Sequence, residues 1–166
     1  MLLYISKFDN NFNEKKYNSQ IKKIDLFNSP CPKCTHTECL SFHAEYNRSF
    51  TTDNGNVRFA VKRCICSNCR STHAILPSFV VPYSPILLDD ACEIIEADDQ
   101  QKKEDIMVRL ALSIDQVRRI KRIFTLFWSR LMSDYRSCTD LTSFCIQSFN
   151  LQFLQVRYLF LSLIST

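Results

Sequence analysis

The chain has 166 residues, 46% of them hydrophobic, a formal net charge of +4 and a single glycine. That length allows one ordinary domain or two small ones, and one glycine cannot build a Walker loop or a dinucleotide fingerprint, whose glycines let backbone approach phosphate. Nine cysteines form an odd set that fits closed disulfide pairing poorly. The start "MLLYISKFDNNFNEKK" lacks the marks of a secretion signal, so a cytoplasmic chain with some thiolates on a metal is expected.

In chain order, residues 1–29 read as a polar lead-in with one short strand. Residues 30–84 hold six cysteines and read as β structure. "SFHAEYNRSF" places Phe42, Ala44 and Tyr46 on one face, and "NVRFAVKRC" alternates Val57, Phe59 and Val61. Both sets are expected in the core. The Asn54-Gly55 signal between them suits a hairpin turn.

Two Cys-x-x-Cys pairs bracket that hairpin: Cys31 with Cys34, and Cys66 with Cys69. Two tight turns, each presenting two thiolates, can meet in a tetrahedron, which is the logic of a zinc ribbon. The 31 residues between the pairs exceed the compact spacing, and a longer hairpin accommodates them. One structural Zn2+ is the expected cofactor, with iron as the other candidate. A thioredoxin-like pair would need a βαβ setting that neither has. Cys39, Cys64 and His36 are the available substitute ligands, and His73 suits bracing better than ligation.

From Ser84 the period becomes helical. Ser84 can cap and Pro85 can take the first helical position, with Leu87, Ala91, Ile94 and Ile95 on one face. A second helix is expected over about Lys103–Leu110, and a third after Ser113. Residues 85–130 match helix-turn-helix spacing, with Ala111 in the turn, Leu112 as plug and Ser113 with Gln116 as a capping box. Val117, Ile120, Phe124 and Phe127 form an inward stripe; Gln116, Arg118, Arg119, Lys121 and Arg122 are candidate DNA contacts. Two residues depart from the common pattern: Met107 stands where a small residue permits close helix crossing, and Ala111 where glycine is common. Residues 131–166 are an apolar C-terminal segment; Leu151–Ile164 is too short for a membrane span, which takes about 20 residues.

Charge is uneven along the chain. Arg58, Lys62, Arg63 and Arg70 lie in a stretch free of acids from Asp53 to Asp89, and a second basic block follows Asp115. Two such blocks can face a polyanion, with phosphate contacts from the first. The acids between them read as a solvated helix face, and no constellation of catalytic residues is apparent.

The run "Cys-x-x-Cys-x-x-Thr-His-Ala-x-Leu-Pro", here Cys66 to Pro77, following "CPKC" and preceding a helix-turn-helix pattern, resembles an uncharacterised bacterial zinc-ribbon family related to the N-terminal regions of transposases. The resemblance spans roughly residues 30–127. It implies ligands at Cys31, Cys34, Cys66 and Cys69 and an association with mobile elements, and it supplies no activity. Where those transposases carry a catalytic carboxylate domain, this chain ends. The expected class is α+β, an N-terminal zinc ribbon followed by an all-α helix-turn-helix module. The expected function is a non-catalytic, zinc-binding, double-stranded-DNA-binding protein, a mobile-element accessory, remnant or regulator, partnered by a second copy or by a transposase. The alternative is a protein-interaction adaptor using the ribbon and the apolar C-terminus. A third reading, stacking of single-stranded nucleic acid on Phe42, Tyr46 and Phe59, ranks below both.

Overall fold

The computed structural model describes residues 2–5, 13–52, 55–128 and 137–149, in a mixed α+β arrangement of two units. Residues 1–49 and 58–78 form the first; residues 50–57 and 79–166 form the second. The strands are β1 (Leu2–Ile5), β2 (Leu40–Thr52), β3 (Gly55–Cys66) and β4 (Thr72–Pro77), and the helices α1 (Glu14–Ile21), α2 (Leu88–Glu96), α3 (Gln100–Arg109), α4 (Ile114–Phe127) and α5 (Cys138–Phe149). The Asp53-Asn54 end of the expected hairpin turn and the Leu151–Ile164 segment lie outside the described residues.

In the first unit the sheet order is β1-β4-β3-β2. β1 runs parallel to β4, Leu2 opposite Ala74 and Ile5 opposite Pro77. β4 is antiparallel to β3, from Arg63 opposite Ala74 to Ile65 opposite Thr72. Helix α1, in the stretch expected as a polar lead-in, is capped by Asn13, whose side chain accepts from the Lys16 N–H at 2.9 Å. Such a cap satisfies one of the helix's orphan donors.

Tyr17 explains why α1 sits where it does. Its ring is fully buried and meets Phe59 edge-on, with centroids 5.2 Å apart. Its hydroxyl donates to the Ile75 carbonyl at 2.8 Å and accepts from the Lys62 N–H at 2.8 Å. Lys62 and Ile75 are the next pair in register after Arg63 and Ala74, so the phenol bridges the two strands just beyond that pairing. Burial pushes its ionisation well above the ordinary phenol range.

The inward reading of β2 does not hold. Phe59 and Val61 are buried, but Phe42 is 54% and Tyr46 37% exposed, and Ala44 is exposed too. Strand β2 is the sheet edge, and α1 lies over β3. Alternation shows that two faces differ; it does not show that a layer covers either.

In the second unit Phe50, near the end of β2, is buried and meets Phe79 edge-on at 6.3 Å. The Thr51 N–H bonds the Pro85 carbonyl at 2.8 Å, and Val80 bridges Leu87. Those bonds keep residues 85–87 extended, so α2 begins at Leu88 rather than at Pro85. The expected cap at Ser84 is thereby corrected: its hydroxyl accepts from the Ile86 N–H at 3.4 Å instead.

Helices α2 to α5 bury Ala91, Ile94, Ile106, Leu110, Val117, Ile120, Trp128 and Leu141 in one cluster, with Met107 and Phe124 packed against it. Arg109 of α3 pairs with Asp90, at 3.3 Å, and with Glu93 of α2. Helix α3 ends at Ala111 with φ 50°. The Leu112 N–H returns to the Met107 carbonyl at 2.9 Å and the Ala111 N–H to Val108 at 3.2 Å. This is the Schellman arrangement, which normally takes glycine at that residue. Ser113 then caps α4, with the reciprocal bonds of a capping box to Gln116. Among the described residues, no helix is long and apolar enough to cross a membrane.

Candidate metal centre

The two Cys-x-x-Cys segments fold into matching turns. In the first, the Thr35 N–H bonds the Cys31 carbonyl at 2.8 Å and the Cys31 N–H bonds the His36 carbonyl at 2.8 Å. In the second, Arg70 N–H to Cys66 carbonyl and Cys66 N–H to Ser71 carbonyl are both 2.9 Å. The residue after each second cysteine is left-handed, Thr35 at φ 61° and Arg70 at φ 58°. Neither is glycine, and for a side chain with a Cβ that region costs about 1–2 kcal/mol.

These turns carry the Sγ atoms of Cys31, Cys34, Cys66 and Cys69 to within 4.8 Å of one another. Cys31 to Cys69 and Cys34 to Cys66 are each 3.7 Å. No pair is bonded as a disulfide, since all four thiols are free and an S–S bond is about 2.05 Å. A tetrahedron of sulfurs about 2.3 Å from a central ion has edges of about 3.8 Å. The spacing and the soft donors therefore fit one metal ion with a closed shell.

Surrounding donors favour thiolate on the outer sulfurs. The Asn68 amide donates to Cys34 Sγ at 3.5 Å and, with the backbone about His36, draws that thiol down to about 5. Ser71 lowers Cys69 through its hydroxyl and N–H. Burial acts oppositely on Cys31, pushing it up to about 12. The Lys33 and Cys69 N–H groups point at Cys31 and Cys66 sulfur, at 3.5 and 3.4 Å.

The substitute ligands fall outside the four-sulfur group. His36 is exposed, its Nδ1 2.9 Å from the Cys34 carbonyl. Cys64 donates to the His73 carbonyl at 3.7 Å. His73, nearly fully buried, places Nε2 3.4 Å from Cys31 Sγ and braces the cluster. Cys39 is nearest: its sulfur lies 3.4 Å from Cys66 Sγ while donating to the His36 carbonyl at 3.0 Å. No spacing rule in the sequence marks that approach. It follows from the Ser67 N–H bonding the Cys39 carbonyl at 2.8 Å, which sets the two chains side by side.

The candidate DNA contacts are distributed unevenly. Arg118, Arg119 and Arg122 are exposed on α4, Arg118 in a solvent-facing pair with Asp115 at 3.6 Å. Gln116 is exposed, its Oε1 held by the Ser113 N–H at 2.8 Å. Lys121 turns back, Nζ 3.0 Å from the Ala97 carbonyl, and burial lowers its ionisation. In the first unit Arg58 and Arg70 are exposed, Lys62 pairs with Glu45, and Arg63 bonds the Thr72 hydroxyl. Phe59, read as a stacking surface, is buried against Tyr17.

No curated protein matches the chain, and no solved structure does. One family model, described as a domain of unknown function (DUF6431), matches residues 31–119, from the first metal-site cysteine to the second turn of α4. That match takes in more than half of the 166 residues, and the chain belongs to the DUF6431 family.

Proposed function

We propose that this is a zinc-stabilised, DNA-binding protein without catalytic activity, in which one structural Zn2+ on Cys31, Cys34, Cys66 and Cys69 fixes the first unit and α4 reads duplex DNA. Two observations support the reading. Two edges of the four-sulfur cluster have the length of zinc thiolate coordination, and four thiolates leave no open position for chemistry on a substrate. Helix α4 buries Val117 and Ile120 while exposing Arg118, Arg119 and Arg122. The second of these carries the functional conclusion. A helix entered by a four-residue turn, capped, packed on one face and arginine-rich on the other suits the major groove.

On this reading α3, its turn and α4 act as a helix-turn-helix, and the arginines contact phosphate or guanine. Arg58 and Arg70 are further phosphate contacts. The resemblance to transposase N-terminal regions makes a mobile-element accessory, remnant or regulator in the cytoplasm the matching role, with a second copy or a transposase as partner.

The test is titration of the zinc-loaded chain onto duplex DNA across salt. Binding should weaken steeply as salt rises and drop when Arg118, Arg119 and Arg122 become alanine. Absence of binding at low salt, or affinity unchanged in that variant, would contradict the reading.

A further inference from the structure

We infer that Cys39 and Cys66 form a site of reaction with hydroperoxides, in which Cys39 closes a disulfide onto Cys66 and thereby dismantles the metal centre. The inference rests on the metal reading above and is independent of DNA binding.

The geometry singles out this pair. Cys39 Sγ is 3.4 Å from Cys66 Sγ, closer than the 3.7 Å of Cys31–Cys69 or of Cys34–Cys66. Cys39 and Cys66 are both buried, so the two sulfurs are held beside each other, and a small peroxide reaches them on local opening of the turns. The backbone already sets the approach through the Ser67 N–H bond to the Cys39 carbonyl, 2.8 Å long. Reaching an S–S bond of about 2.05 Å needs the sulfurs to close by about 1.4 Å, a side-chain motion. Within each Cys-x-x-Cys turn both sulfurs would be held by the same ion, whereas Cys39 is a fifth thiol outside the four.

The steps balance as a two-electron oxidation. The Cys66 thiolate attacks one oxygen of the peroxide; the O–O bond breaks, hydroxide leaves and Cys66 becomes a sulfenic acid. The Cys39 sulfur then attacks the Cys66 sulfur. The S–O bond breaks, and the oxygen leaves as water with the Cys39 proton. Cys66 can no longer donate as a thiolate, and a three-thiolate remnant holds the ion more weakly. Thiol reductants reverse the disulfide through a mixed intermediate.

The experiment uses the full chain loaded with zinc, its metal content measured first so that failure of the metal site is seen separately. Hydrogen peroxide is added in small molar excess, zinc release is followed with a chromogenic chelator, and cross-links are mapped by mass spectrometry under non-reducing conditions. Expected are a Cys39–Cys66 disulfide formed in step with zinc release, and recovery of zinc binding after dithiothreitol. Cys39→Ser should load one zinc as before and release it under peroxide, but carry Cys66 on to the sulfinic acid, so that dithiothreitol no longer restores zinc binding. A first disulfide at Cys31–Cys34 or Cys66–Cys69 would overturn the inference. So would full recovery of zinc binding by oxidised Cys39→Ser after dithiothreitol, or a chain that holds no zinc before oxidation.

Discussion

Thr35 and Arg70 occupy the same place in the two halves of the four-cysteine cluster: each follows the second cysteine of its pair, at φ 61° and 58°, with its N–H on the carbonyl of the first. A β-branched residue is especially ill-suited to that region. Thr35→Gly should therefore raise the stability of the metal-loaded chain by about 0.5–1 kcal/mol, the relief of Cβ strain exceeding the added chain entropy. Thr35→Val should not stabilise it. Denaturant unfolding of both variants is the check, and destabilisation by glycine would show that the threonine side chain, whose hydroxyl bonds the Cys34 carbonyl at 2.7 Å, outweighs the strain.

Ala111 makes the same point in the helical unit without a metal. It holds φ 50° at the end of α3, and Ala111→Gly should stabilise by about 1 kcal/mol. A melting temperature lower than that of the unsubstituted chain would contradict this.

Tyr17→Phe removes one hydroxyl and leaves the Lys62 N–H and the Ile75 carbonyl without it. Unsatisfied buried backbone groups cost about 1–3 kcal/mol, so the variant should lose that much in denaturant unfolding. Hydrogen exchange at Lys62 should quicken more than at residues in α2. A neutral substitution would mean that β3 and β4 re-pair without the phenol.

Much of this was legible in the sequence, for identifiable reasons. Cys-x-x-Cys spacing is a local geometric requirement, so Cys31, Cys34, Cys66 and Cys69 could be named in advance. Ser113 and Gln116 also act through backbone three residues away, and their capping box is present. What escaped depends on distant partners. Tyr17 finds strands 45 and 58 residues further on, Phe42 and Tyr46 are exposed because their strand is the edge, and Lys121 is drawn inward by a carbonyl of another helix. Cys39 meets Cys66 through strand pairing that no motif encodes.

The metal-free chain carries a pH dependence of its own. Cys34, held down to about 5 chiefly by the Asn68 amide, is a thiolate in the metal-free chain at neutral pH. Its alkylation should be flat from neutral pH downward and fall only as pH drops through about 5, while buried Cys31, pushed up to about 12, should stay unreactive until strongly alkaline pH. Because Cys34 is lowered relative to its unfolded value, its contribution favours the folded metal-free chain above the ordinary thiol range and is lost as pH falls through about 5. Asn68→Ala should move the Cys34 midpoint upward, as read by iodoacetamide labelling and mass spectrometry; an unmoved midpoint would count against the amide as its main cause.

On the DNA-binding proposal, Arg118, Arg119 and Arg122 as phosphate contacts would each contribute about 0.9 to the slope of log affinity against log salt. The triple alanine variant should flatten that slope by about 3 and weaken binding to all sequences. A loss confined to one sequence would assign the arginines to bases instead.

The most direct test of the metal centre is X-ray absorption on the purified chain with its metal content counted. Four sulfur neighbours at about 2.3 Å around one zinc per chain are predicted. Nitrogen or oxygen in the shell, or no stoichiometric metal, would contradict a closed centre built from Cys31, Cys34, Cys66 and Cys69.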